Sequence, residues 1–205
     1  MATALNLGIP DRVPTFELEF QLSEELLGKP FLTENDLKGL SEAEVDRRIA
    51  ENAEFMIEVY DRLEHDAICI QYLNEQHTKQ TIRRLHEFSG DRFMLLAHGD
   101  GTFAIPDGAG MLEFVYRIAD DPQGVHDQAE RMVRDAIAHD LRLLDAGLDG
   151  FILCSDYCFN KGPFLSPKMF GEFVTPYLAR LIAAIREHGG YAIKHTDGNI
   201  KPILD

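Results

Sequence analysis

His195 and Asp197 stand two residues apart in the stretch YAIKHTDGN, just past the apolar run Tyr191-Ala192-Ile193. An imidazole and a carboxylate at this spacing can share one zinc ion or work as an acid–base pair. The same residues also make an ordinary turn, with Asp197-Gly198 bending the chain and His195 bonded to a neighbouring loop. H-x-D is far weaker than a full ligand set, so spacing alone leaves both readings open.

Other residues with chemical potential lie in similar places. Asp156 follows the apolar run Phe151-Ile152-Leu153-Cys154, and His98 and Asp100 follow Phe93-Met94-Leu95-Leu96-Ala97. Glycines at 99 and 101 allow a ligand to approach closely there, and equally make a plain turn. Cys154 and Cys158 bracket Asp156, but C-x₃-C needs two more zinc ligands and none stands nearby. Cys154 reads instead as a buried end-of-strand residue. Asp156 and His98 are therefore the catalytic candidates, His195 and Asp197 the metal-ligand candidates, and Tyr72, Ser155 and Tyr157 the substrate contacts. Glu19 reads as structural.

These residues need elements to position them. Ser41-Glu42-Ala43-Glu44 has the pattern of a capping box, and the helix it opens carries Ile49, Ala53, Met56, Ile57, Tyr60 and Leu63 at helical spacing. Ala67–Ile70 reads as a strand, Lys79–Phe88 as a helix, and Phe93–Ala97 as a strand. A short helix over Met111–Ile118 and a long one from Pro122 to a stop at Gly147 follow. After the strand at Phe151–Cys154, Ser166-Pro167 opens a helix running to His188, kinked at Pro176. Val13–Phe20 is the expected opening strand. No internal repeat or linker divides the chain, so it reads as one domain over residues 1–205.

Alternating strands and helices with apolar strands predict an α/β fold with a parallel sheet. No glycine-rich phosphate fingerprint follows the first strand, which disfavours a dinucleotide-binding sheet and favours a TIM (β/α)₈-barrel type. In such a barrel the candidates, which all follow strands, share the C-terminal mouth, so His98, Asp156 and His195 are expected to converge. Five strand–helix units do not close eight, and such barrels usually take ~250 residues, so the barrel is expected to be incomplete, lacking its C-terminal part.

Composition narrows the partners. Twenty basic against thirty-five acidic residues give a net charge of −15, which repels nucleic acid and anionic membranes. No apolar run approaches a membrane span, and the N-terminus lacks a secretory pattern, so a cytoplasmic location is expected. Three cysteines make too sparse a set for a disulfide framework.

The segment LDAGLDGFILCSDYC…GPFLSPKMFGEFVTPYLARLIAAIREHGGYAIKHTDGN resembles the uroporphyrinogen decarboxylase superfamily. The shared features are the strand after the glycine-aspartate turn, the Ser-Pro helix start, F-x-x-F-V-x-P-Y and a strand ending in H-x-x-G-N. PDRVPTFELEF and DDPQGVHDQAE are similar in kind. The resemblance implies a (β/α)₈ barrel and one of two chemistries: porphyrinogen decarboxylation in tetrapyrrole biosynthesis, or zinc-dependent methyl transfer between corrinoids and thiols. The decarboxylases carry an arginine-rich segment after the first strand and an aspartate after the second. Here the matching stretches read ELEF and Ile70-Gln71-Tyr72-Leu73. The methyltransferases carry H-x-C-G-N with a second cysteine later in the chain; here it reads His195-Thr196-Asp197-Gly198-Asn199.

The resemblance thus implies zinc on His195 and Asp197, with the third ligand absent from this chain, and a corrinoid as substrate or as the cofactor of a partner protein. Methyl transfer to a thiol is the expected activity and a small molecule the expected substrate. Decarboxylation of a porphyrinogen is the alternative, and a non-catalytic binding remnant a second one.

Overall fold

The apolar runs spaced between amphipathic stretches become parallel strands. A computed structural model describes residues 1–204. Its elements run α1 (Ala2–Leu5), α2 (Ser23–Leu27), α3 (Glu42–Arg62), β1 (Ala67–Ile70), α4 (Glu75–Ser89) and β2 (Met94–Gly99). They continue with α5 (Gly110–Asp120), α6 (Pro122–Leu144), β3 (Gly150–Leu153), β4 (Cys158–Phe159) and β5 (Gly162–Pro163). The last are α7 (Pro167–Phe173), α8 (Thr175–Glu187) and β6 (Tyr191–Lys194). The parallel sheet has the strand order β1-β2-β3-β6, as in an incomplete TIM-type barrel. By compactness the chain divides into two units, Met1–His98 with Arg142–Gly150, and Gly99–Leu141 with the residues from Phe151 on.

In the first unit, Ser41 Oγ accepts the Glu44 N–H at 3.3 Å and so caps α3. Glu44 does not reach back. Its carboxylate pairs with Arg47, so half of the expected capping box forms. Ile49, Ala53, Met56 and Tyr60 fall on the buried face of α3 as their spacing predicts. β1 pairs in parallel with β2 from Ala67↔Met94 to Ile70↔Ala97, and all of β1 is buried, which is why it reads as a continuous apolar run. The α4 helix begins earlier than expected because Asn74 caps it, accepting the His77 N–H at 3.0 Å.

The expected strand at Val13–Phe20 is not formed. Pro14 has no N–H for a ladder. The segment is held mainly by side chains instead: Asp66 accepts from Thr15 N at 2.7 Å and from Arg12 at 2.8 Å. The Leu18 carbonyl accepts from Gln71 at 2.8 Å and from His98 at 2.9 Å.

In the second unit, Val125 and Val133 of α6, Phe151 and Leu153 of β3, and Leu181 and Ile185 of α8 form a fully buried core. Ser166 caps α7 with Pro167 in its first turn. The helix expected to run to His188 is two helices. Pro176 lacks an N–H and its ring crowds the carbonyl four residues back, so the chain leaves helical geometry at Val174, with φ −121° and ψ −55°. The hairpin of β4 and β5 was not foreseen, although Asn160 and Gly162 in FNKG are turn residues. Among the described residues no helix is long and apolar enough to cross a membrane.

Candidate metal centre

Two loops of the second unit carry the chemistry, the one leaving β3 and the one leaving β6. His195 N donates to Leu153 O at 2.9 Å, keeping the strand ends in register as the loops begin. Beyond that point three bonds lace the loops together. Tyr157 N donates to Thr196 Oγ1 at 2.8 Å, Asp197 N to Asp156 Oδ1 at 3.0 Å, and Asn199 N to Phe159 O at 3.1 Å. Gly198 makes this approach possible. Its φ is +83°, and a Cβ there would lie 2.4 Å from Cys158 O and 2.6 Å from Phe159 O.

The result is a cluster of three side chains of ligand type. One donor atom from each of Asp156, His195 and Asp197 lies within 4.8 Å of the other two. His195 Nε2 is 3.9 Å from Asp156 Oδ1 and 3.7 Å from Asp197 Oδ1. The side chains are 35% (His195), 46% (Asp156) and 79% (Asp197) exposed, so the cluster is open to solvent through Asp197. One imidazole nitrogen and two carboxylate oxygens suit a hard or borderline divalent cation, zinc included. The cysteines stand apart from this set. Cys154 Sγ bonds Ile152 O at 3.2 Å, and burial pushes the Cys158 thiol up.

Sequence reasoning missed Lys194. Its ammonium reaches Asp100 Oδ2 at 3.0 Å, Leu153 O at 3.0 Å and Ser155 O at 2.8 Å, over the Tyr157 ring at 4.2 Å. Burial pushes the Lys194 pKa down against the pull of Asp100. For Asp100, burial opposes ionisation, but Lys194, Thr102 and the Ser155 amide outweigh it and hold the carboxyl below its usual value. The signal was a lysine closing an apolar strand, with an acid following an earlier strand to pair with it.

The other candidates have other surroundings. Ser155 N donates to Asp100 Oδ2 at 3.0 Å. Tyr157 is 2% exposed, with its hydroxyl 2.6 Å from Thr102 Oγ1, so it belongs to the core of this unit. Burial and the Asp100 charge raise its pKa far above the ordinary value. His98 and Tyr72 belong to the first unit. His98 donates through Nε2 to Leu18 O at 2.9 Å, so that ring nitrogen carries its proton. Tyr72 has φ +64°, and its hydroxyl meets Glu19. Burial, together with that carboxylate, pushes its pKa up to about 12.

Parallel strands with polar loops at their C-terminal ends define an α/β protein of the TIM-barrel type. Residues 105–205, just under half of the chain, match the family described as uroporphyrinogen decarboxylase (URO-D). Among solved structures, a methyltransferase from Methanosarcina mazei is similar with a TM-score of 0.71 at 13% identity, over 98% of this chain and 70% of that one. At this identity the likeness is one of fold. No curated protein matches the chain.

Proposed function

We propose that this chain carries out methyl transfer to a thiol, using a zinc ion held by Asp156, His195 and Asp197. The convergence of these three donors within 4.8 Å carries the reading. A catalytic zinc site takes three protein ligands and leaves one position open. His195 and Asp197 were the ligands expected from sequence; Asp156 supplies a third donor from within the chain. The fold likeness to a methyltransferase also supports the reading.

A zinc ion bound there would supply Lewis acidity that favours the thiolate form of an acceptor thiol. The protein's own residues prepare the place. Asp197 N, bonded to Asp156 Oδ1, fixes that carboxylate. The exposure of Asp197 leaves an approach for substrate. The methyl donor is a corrinoid, free or borne by a partner protein, and the location cytoplasmic.

Metal analysis after zinc loading and desalting of the 205-residue chain tests the site. About one zinc per chain is expected, falling to background in His195→Ala. A folded wild-type chain that stays metal-free sinks the reading. The family description favours a second reading, porphyrinogen decarboxylation. That activity would survive a chelator.

A further inference from the structure

We propose that the half-buried Lys194–Asp100 pair is a positioning device that sets the geometry of the two ligand loops; as a statement about ligands it rests on the metal reading above. The pair acts one residue before two of the three donors: Lys194 itself precedes His195, and Ser155, whose backbone the pair holds, precedes Asp156. Asp100 Oδ2 accepts the Ser155 N–H at 3.0 Å while Lys194 donates to the Ser155 carbonyl at 2.8 Å. Both backbone polar groups of Ser155 are thereby fixed by side chains.

The residue on the other side of Asp156 is held by the same network. Asp100 Oδ1 accepts from Gly101 N at 2.8 Å, Thr102 N at 3.0 Å and Thr102 Oγ1 at 2.6 Å. The Thr102 hydroxyl has one proton and spends it on Asp100, so the Tyr157 hydroxyl donates to Thr102. Asp156 is thus bracketed. Lys194 uses all three ammonium protons, on Asp100 and two carbonyls.

Stability alone does not call for such a pair. An apolar pair of equal volume usually holds a core as well or better. It would, however, leave Leu153 O, Ser155 O and Ser155 N without these partners just where the loop leaves the sheet. The pair satisfies them and fixes their direction.

The test compares wild type with the Lys194→Met/Asp100→Asn double variant, which leaves no lone buried charge. Ile185→Ala, a core change away from the loops, serves as a control of reduced stability. Circular dichroism reports folding, cobalt(II) titration reports affinity and ligand geometry through its visible absorption, and amide exchange is read in the metal-free chains. The double variant is expected to fold, to bind cobalt about 10- to 100-fold more weakly with an altered spectrum, and to exchange the Tyr157 and Asp197 amides about tenfold faster. Ile185→Ala should keep wild-type affinity, spectrum and exchange at those amides. A folded double variant with unchanged exchange there overturns the proposal, whatever its metal affinity. Faster exchange in a protein whose wild type takes up no cobalt upholds the loop-positioning role and removes only the metal reading. If the double variant does not fold, Thr102→Val decides on the exchange readout, because it cuts the link from Tyr157 to Asp100 and leaves the charges in place.

Discussion

At Asp197 an oxygen donor stands where the resembling methyltransferases carry a sulfur. Carboxylate oxygen suits magnesium and manganese as well as zinc, whereas thiolate selects softer ions. Asp197→Cys should therefore raise zinc affinity about tenfold or more while weakening manganese, as competition titrations with the two metals would show. A second residue-scale consequence concerns Asp140, which is 1% exposed and whose Oδ2 has no hydrogen-bond partner among the described residues. Burial raises its pKa above 3.8, with the nearby His139 pulling the other way. Above that raised pKa the fold holds a buried charge at a cost; once pH falls well below the unfolded value, both states are protonated and the cost is gone. Asp140→Asn should accordingly gain about 1 kcal/mol near neutral pH, an advantage that shrinks on acidification. Thermal unfolding of both proteins across this range measures it. An unchanged gap at all pH values would show that Asp140 does not carry the cost.

The elements are decided mostly by local chemistry, and their variants should behave accordingly. Ser41→Ala removes an N-cap bond from a 21-residue helix and should cost about 1 kcal/mol. Gly198 is a stricter position. Its left-handed φ of +83° and the two carbonyls against it exclude any side chain. Gly198→Ala should cost about 2 kcal/mol in denaturant titrations and weaken metal binding, because it forces the two ligand loops apart. The caps at Ser41 and Ser166 and the prolines were legible in the sequence because each acts within a few residues. The split of the expected long helix at Val174 was legible only as a kink, since whether Pro176 bends a helix or ends it depends on what buries the residues around it. Val174 is fully buried, held in the core at the break.

For the whole molecule, the net charge of −15 opposes the approach of polyanions. An octacarboxylate tetrapyrrole meets repulsion, and the stretch Glu17-Leu18-Glu19-Phe20 offers no basic clamp. Calorimetric titration should give weak binding that strengthens as salt screens the repulsion. Micromolar affinity at moderate salt would favour the decarboxylase reading instead.

By itself the sequence determined the four strands of the parallel sheet and where the helices capped by Ser41 and Ser166 begin. A buried parallel strand needs an unbroken apolar run, and β1 and β3 carry theirs between clear breakers. It also carried the superfamily resemblance and singled out His195 and Asp197 as candidate ligands, since residues two apart share one loop. Only the tertiary structure decided that Asp156 joins them. That residue lies 41 positions before Asp197, and no local pattern says that the loops after β3 and β6 are laced together. The same holds for Lys194. In sequence it reads as a charge ending a strand, a place where solvent usually waits. Folding puts two carbonyls and a carboxylate there instead, and a charge in such a place is fixed by partners that come from elsewhere in the chain.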